Sequence, residues 1–462
     1  MRIRGPLALV VLSLVPLGLW MAAQPLDSRF IDARTTLTSI AVCLALVGTS
    51  AFALNLVLGA RFGVVDELFG GLDKMFRVHQ INGRVAFLLL LGHATLIVAS
   101  RATDSVSEAI RLFTPSAGWT VLFGVLALAA MTVAICLTLY VRLNHELFVY
   151  VQRAFGFVFI LAALHVFRTP GTKAFSSALT YYLAALAAAG LAAFAYRSLF
   201  DNVLVKRHDF RVADVRPLDE AVTEIVMTPD DRNLTFKPGQ FLFVTFYSDA
   251  LSKSLHPFSI ESAGHSAVMT VRPGEVHEQF HPFSISSTPR DPDLKVVFKE
   301  VGDYTRAMRS LEKGAWARVE GPYGGFSYLN LRNRRQVWIA GGIGITPFLS
   351  MARSLNDASY DIDFYYSMRS IRNAYLLAEF MQIGERQPNF TVIPYPEDEV
   401  GYLSADAIEQ RTRDLADRDV MICGPPPMID ALRTQLYAKG IPRARVHFEK
   451  FGFAPKQRGK PR

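Results

Sequence analysis

Six apolar stretches fill the first 200 or so residues, at about 6–24, 36–59, 80–100, 118–141, 147–167 and 176–198. Each is close to the ~20 residues a helix needs to cross the hydrocarbon core of a bilayer. Lipid offers the backbone no hydrogen-bond partner, so a stretch of this kind crosses as a helix that satisfies its own N–H and C=O groups. A six-helix membrane bundle is therefore expected over residues 1–207, with both of its ends on one side. Arg2, Arg4, Arg61, Lys74, Arg77, Arg142, Lys206 and Arg207 fall on that shared side, against Arg29, Arg34, Arg101, Arg111, Arg168 and Lys173 opposite. The asymmetry predicts that the C-terminal half is cytoplasmic. Arg2 and Arg4, followed by an apolar run to Met21-Ala22-Ala23, also have the pattern of a secretory signal peptide. Retention as a first span is the expectation, because cleavage would leave five spans and move one end to the wrong side.

From about residue 208 the hydropathy falls and Asp, Glu, Arg and Pro become frequent. Residues 208–330 read as short alternating strands, such as Phe241 to Phe246 and Leu294 to Phe298, and predict a small antiparallel β-barrel. Residues 331–462 read as strand, glycine turn, helix, strand: Gln336 to Ala340, Gly341 to Gly344, a helix to Leu355, then Asp361 to Tyr366. That order predicts an α/β nucleotide-binding domain. The net charge of +8 comes from loops and the last nine residues, without aromatic interleaving, so nucleic acid is not an expected partner. Of three cysteines, Cys43 and Cys136 lie in apolar runs and no CxxC pair exists, which leaves no basis for a zinc site or a disulfide scaffold.

The barrel region contains a repeat. His256-Pro257-Phe258-Ser259-Ile260-Glu261-Ser262 recurs 25 residues later as His281-Pro282-Phe283-Ser284-Ile285-Ser286-Ser287. The segments that follow, Ala267 to Arg272 and Leu294 to Lys299, read as the second strand of one duplicated hairpin.

His93 and His165 stand within the third and fifth apolar stretches, and His79 stands at the end of the third. His79 and His93 are 14 residues apart, a rise of ~21 Å with a rotation only about 40° from a common face. An ionisable side chain within a membrane span is a functional candidate by default.

Gly341-Gly342-Ile343-Gly344-Ile345-Thr346-Pro347 opens a helix directly after an apolar strand and so brings backbone amides to a diphosphate. Ser367, Arg369 and Arg372 follow the next strand, with no acid in the stretch that would hold a ribose 2′-hydroxyl, which favours NADPH over NADH. In Gly302-Asp303-Tyr304-Thr305 a glycine turn with a free amide and hydroxyl suits a second diphosphate.

Taken in order, Pro238-Gly239-Gln240-Phe241, His281-Pro282-Phe283-Ser284, Gly302-Asp303-Tyr304-Thr305, the Gly341 turn and Cys423-Gly424-Pro425-Pro426 behind a histidine-bearing membrane region resemble the ferric reductase and NADPH oxidase superfamily. The resemblance implies an oxidoreductase that carries electrons from NADPH through FAD and haem b to a ferric complex or dioxygen, in the plasma membrane or a bacterial inner membrane. It implies that the His-Pro-Phe-Ser segment lies along the flavin. His256 has a familiar distance from Pro238 and His281 a familiar distance to Gly302; the fuller Ser286-Ser287-Thr288-Pro289 continuation favours the second copy. The resemblance also places Cys423 and Gly424 beside the nicotinamide, and Phe453, with Phe451 close behind, over the flavin ring. In the family each haem takes one histidine from the third span and one from the fifth. His93 and His165 make one pair, but the partner of His79 falls on Gln152, a departure from the pattern.

The expected partners are membrane lipid, a small-molecule acceptor and a membrane or periplasmic redox protein. Gln152 keeps open a second reading, an NADPH flavoprotein that reduces a quinone or a partner protein at the inner leaflet. A haem-binding sensor with a relic flavin domain is disfavoured by the intact nucleotide motifs.

Overall fold

The structure is a computed structural model, and it describes residues 4–23, 25–141, 143, 145–169, 176–231, 234–247, 258–263, 266–271, 280–300 and 303–450. The chain forms two compact units, Met1–Val205 and Lys206–Arg462.

Among the described residues of the first unit, six helices are long and apolar enough to cross a membrane. They are α1 (Arg4–Ala23), α2 (Ala33–Gly59), α3 (Leu72–Ala102), α4 (Trp119–Tyr140), α5 (His145–Arg168) and α6 (Ser177–Phe194). Two start at side-chain caps. Asp32 accepts from the Thr35 amide at 2.7 Å while Thr35 Oγ1 accepts from the Asp32 amide at 3.0 Å, and Ser176 accepts from the Leu179 amide at 3.1 Å. These bonds satisfy orphan N–H groups at the helix start. Helix α2 packs along α3 and α6, and α4 packs along α5. Polar ties hold the α2–α3 contact: Thr38 to Ser100 at 2.7 Å, Arg34 to Asp104 at 3.0 Å, and Asn82 Nδ2 to the Ala51 carbonyl at 2.8 Å.

Helix α3 is longer than the apolar stretch that announces it. Asp73, Lys74 and Arg77 lower the hydropathy of its first two turns, but no proline or glycine breaks the helix there, and Lys74 Nζ donates to the Gly70 carbonyl at 3.0 Å. His79 consequently lies two turns inside the helix instead of at its end.

In the second unit, β1 (Arg207–Pro217), β2 (Val222–Pro229), β3 (Phe241–Tyr247), β6 (His281–Ser284), β7 (Leu294–Lys299) and β8 (Trp316–Tyr323) form an antiparallel sheet in the order β6-β3-β8-β1-β2-β7. Its edges meet where Ile285 bridges Val296 and the Ser286 amide donates to the Lys295 carbonyl at 2.8 Å, so the sheet is nearly closed into a barrel. Closure removes edge strands that would otherwise expose unpaired backbone. The interior is filled by Phe210, Ile225, Leu242, Val244, Ile285, Val296 and Val319.

In both copies of the repeat the segment meets the strand that follows it, but the two are used differently. The first copy folds back on its own neighbour, with β4 (Phe258–Ala263) antiparallel to β5 (Ser266–Val271) in a separate two-stranded sheet. In the second copy β6 pairs with β3 and β7 pairs with β2, so the segment is an integral strand of the barrel.

The last part of the chain is a parallel sheet of β9 (Arg335–Gly341), β10 (Asp361–Met368), β11 (Phe390–Pro396), β12 (Asp419–Cys423) and β13 (Val446–Glu449), ordered β11-β10-β9-β12-β13. Helices α7 (Thr346–Ser354) and α8 (Leu377–Arg386) cover one face through Phe348, Leu349 and Phe380; α9 (Pro426–Ala438) covers the other through Ile429, Leu432 and Leu436. With both faces buried, the strands are near-continuous apolar runs. The order reverses between β9 and β12, and at such a reversal the carboxyl ends of the strands leave a crevice for a ligand.

Candidate functional site

His93 of α3 and His165 of α5 face each other with ring centroids 6.4 Å apart. An imidazole nitrogen binds a metal at ~2.0 Å and sits ~1.1 Å from its ring centre, so two rings that shared one iron would have centroids up to ~6.2 Å apart. Each ring is also fixed through its other nitrogen. His93 Nδ1 lies 3.0 Å from the Ala41 carbonyl and His165 Nδ1 lies 2.8 Å from the Thr120 carbonyl. A backbone carbonyl there holds the proton on Nδ1 and leaves Nε2 as the lone-pair donor, as in metal-ligating histidines generally. His79 is held the same way, 3.1 Å from the Asn55 carbonyl. His93 and His165 therefore fit haem.

Sequence reasoning missed the residue that makes room for this arrangement. A Cβ on Gly124 of α4 would lie 2.9 Å from His165 Nδ1 and 3.0 Å from its Cγ and Cε1. Only glycine lets the ring lie flat against α4, and a glycine inside an apolar stretch gives no such signal in sequence.

In the barrel the structure brings two flavin motifs together. The His281 ring stacks on Tyr304 with centroids 3.8 Å apart and 27° between planes. Burial pushes the Tyr304 phenol up to about 12. Pro282 and Thr305 are half-buried beside this stack, while Phe283 and Ser284 are buried, and Ser284 pairs with Phe241 across the β3–β6 ladder. Gly302 lies outside the described residues, as do His256 and Phe453 with its neighbour Phe451.

The parallel sheet lines up the remaining motifs along its carboxyl edge. Register sets Ser367 beside Gly341, Ala340 beside Cys423, and Cys423 beside Glu449. The turn Gly341 to Ile345 thus sits at the topological reversal, packed on Cys423-Gly424. A Cβ on Gly344 would fall 2.4 Å from the Cys423 carbonyl, which is why that position is glycine. Gly342, with φ +53°, is the member of the turn that requires glycine for its backbone conformation. Thr346 and Pro347 are buried; the Thr346 hydroxyl donates to the Ile343 carbonyl at 3.0 Å and so shapes the turn itself. Cys423 is fully buried in the core under α7, and burial together with the nearby Glu449 carboxylate raises its thiol well above the ordinary range. It is a neutral packing thiol at physiological pH, without the thiolate character that nucleophilic chemistry needs.

Two acids complete the edge. Glu449 ends β13 beside Cys423, with Oε1 3.3 Å from where a Gly324 Cβ would stand; Phe241, the partner of Ser284, lies 3.1 Å from the same point. Gln240 Nε2 holds this loop through the Gly324 carbonyl at 3.0 Å. The carboxylate and Phe241 thus both stand against Gly324. At the other end Glu397, from the terminus of β11, accepts from Ser367 Oγ at 2.6 Å, and the Asp398 amide donates to the Arg369 carbonyl at 3.0 Å. Arg369 and Arg372 are exposed, and parallel pairing of β10 with β11 brings Glu397 and Asp398 to the strand end that carries Ser367 and Arg369.

Comparison with known proteins agrees with this arrangement. A family model described as the ferric reductase like transmembrane component matches residues 44–163, an FAD-binding domain matches 207–274 and an oxidoreductase NAD-binding domain matches 338–434. The FAD-binding match takes in the first His-Pro-Phe-Ser copy and ends before the second, whereas the barrel is built with the second. The propane 2-monooxygenase reductase component of Rhodococcus jostii (strain RHA1) is 26% identical over 260 residues, 52% of this chain and 62% of that protein. The glycine betaine monooxygenase reductase subunit of Chromohalobacter salexigens is 29% identical over 189 residues, 37% of this chain and 51% of that protein. The chain thus spans between about half and three-fifths of the length of these relatives. Among solved structures, the flavohaem-like FAD/NAD-binding domain of a Vibrio cholerae nitric oxide dioxygenase shares 20% identity over 53% of this chain and 98% of that one, with a TM-score of 0.42. A flavohaemoglobin from Malassezia yamatoensis shares 18% over 94% of this chain and 99% of that one, with a TM-score of 0.44.

Apolar helices, barrel and parallel sheet together define an integral membrane protein with FAD- and NAD(P)-binding domains of the oxidoreductase type. The three domains in this order match the architecture of the ferric reductase and NADPH oxidase superfamily.

Proposed function

We propose that the protein takes electrons from NADPH at the carboxyl edge of the parallel sheet, through FAD on the barrel, to haem b held by His93 and His165, and on to a ferric complex or dioxygen. FAD supplies the conversion between the two-electron donor and a one-electron iron centre. The chain's own residues bind and orient: the Gly341 turn for the nucleotide diphosphate, His281 to Ser284 with Tyr304 for the flavin, and Arg369 and Arg372 for the 2′-phosphate. The positive charge on the side shared by the chain ends supports a cytoplasmic nucleotide domain.

The observation that carries this reading is the His93–His165 pair, at the spacing of two ligands on one iron and with both Nδ1 atoms committed to carbonyls. Purified protein under anaerobic conditions, given NADPH, should show flavin bleaching followed by the sharpened visible bands of reduced low-spin haem. Bleaching of flavin with the haem left oxidised would favour the second reading, delivery to a quinone or partner protein at the inner leaflet, for which Gln152 is the supporting residue.

A further inference from the structure

Helix α7 carries the glycine turn at its N-terminus and two polar side chains in its last turns that reach out of its own domain. The helix is nine residues long, or ~13 Å. Ser350 is fully buried and its hydroxyl donates to the Ser287 carbonyl at 2.7 Å. Arg353, one turn on, divides its guanidinium between two domains. Nε and Nη2 donate to Glu379 of α8 at 2.6 and 2.9 Å, while Nη1 donates to the Ser286 carbonyl at 2.8 Å and Nη2 lies 3.5 Å from Glu224 of β2.

Ser286 and Ser287 are fully buried and stand two and three residues after Ser284. On their other side they are locked to the barrel, since the Ser286 amide donates to the Lys295 carbonyl at 2.8 Å and Ser287 Oγ accepts from the Lys295 amide at 3.1 Å. An ion pair serving only the nucleotide domain would need Glu379 alone. Here the planar fork spends one arm on a backbone carbonyl of the flavin strand, a geometry that an ammonium cannot reproduce.

We propose that Arg353 is a positioning residue: with Ser350 it clamps the nucleotide domain onto the segment that follows His281–Ser284, and so sets how closely a nicotinamide at the Gly341 turn approaches a flavin on that strand. The clamp rests on the proposed NADPH-to-FAD reading. It touches neither reacting partner and acts through the placement of α7.

The test is anaerobic stopped-flow reduction of the full-length protein in detergent with saturating NADPH. Arg353→Lys keeps the positive charge facing Glu379 and Glu224 but loses the fork. Flavin reduction should slow about 10- to 100-fold, the loss expected when reacting groups are misplaced by about an ångström. The apparent Kd for NADPH should change less than about 3-fold, and the long-wavelength nicotinamide–flavin charge-transfer absorbance should weaken. Ser350→Ala, which deletes a single hydroxyl, should slow the same step a few-fold. As the structural control, Arg418→Lys perturbs a buried network of comparable size within the nucleotide domain, with Asp414 at 2.8 Å and Asp361 at 2.7 Å. It should lower the thermal midpoint and leave the charge-transfer band intact. Parental reduction rates and charge-transfer absorbance in both Arg353→Lys and Ser350→Ala would overturn the clamp. Failure of NADPH to reduce the parent's flavin overturns the proposed function itself, a separate and distinguishable result.

Discussion

Replacing Gly124 by alanine tests the haem assignment without touching a ligand. The added methyl would stand 2.9–3.0 Å from three ring atoms of His165. Non-bonded heavy atoms settle at about 3.5–4.0 Å, so the imidazole must retreat by about 0.5–1 Å. The ring cannot do so freely, because its Nδ1 is 2.8 Å from the Thr120 carbonyl. A retreat of that size carries the bond beyond ~3.2 Å, the end of the hydrogen-bond range. Losing it costs about 0.5–1.5 kcal/mol, and overpacking adds about 1–3 kcal/mol. A total of about 1.5–4.5 kcal/mol corresponds to about 10- to 2,000-fold weaker haem binding. The assay is haem per chain by pyridine haemochrome, with low-spin character read from the absorption spectrum. Gly92→Ala is the control: it lies next to His93 in sequence, yet its methyl would meet only the terminal Cδ1 of Leu44 at 3.0 Å, which can swing aside. Full low-spin haem in Gly124→Ala, equal to the parent and to Gly92→Ala, would refute the assignment of His165.

At the inner position, Gln152→His should raise haem content and add low-spin character, because a neutral amide oxygen is a poorer iron ligand than imidazole; two low-spin haems already present in the parent would place the second ligand elsewhere. Ser284→Ala should impair flavin reduction and Ser259→Ala should not, since β6 is a barrel strand and β4 is not; the reverse outcome in stopped-flow traces assigns the cofactor to the first copy. NADPH should give a higher kcat/KM than NADH, with Glu397→Gln widening and Arg369→Ala narrowing the difference, and equal values in the parent would remove the 2′-phosphate assignment. Burial, and for Cys423 also the Glu449 charge, raises the Cys423 thiol above its unfolded 9.0 and the Tyr304 phenol above its unfolded 10.0. Stability from such groups is fully present below the unfolded values and is lost as pH rises past them toward the folded ones. The thermal midpoint of flavin release should therefore fall from about pH 9 upward, and a midpoint constant from pH 8 to pH 11 would contradict it.

What the sequence determined by itself is set by local rules. Span length fixed the membrane helices, because lipid admits little else, and alternation and apolar runs fixed the two kinds of sheet. The glycine turn before Thr346 was legible because strand, turn and helix are contiguous in the chain. His93 and His165 were candidates because a polar side chain in a span needs a reason to be there. The tertiary structure decided everything that depends on which segments become neighbours. Helix α3 begins eight residues before its apolar stretch, since a backbone without a breaker continues whatever its hydropathy. Two nearly identical His-Pro-Phe-Ser segments take different places because one pairs with β3 in the barrel while the other pairs with β5. Gly124 owes its identity to a ring on another helix, and Glu397 and Glu449 reach the nucleotide edge only because parallel strands align their carboxyl ends. Each of these is a contact between residues far apart in sequence, and one chain read without its pairings carries no local signal for it.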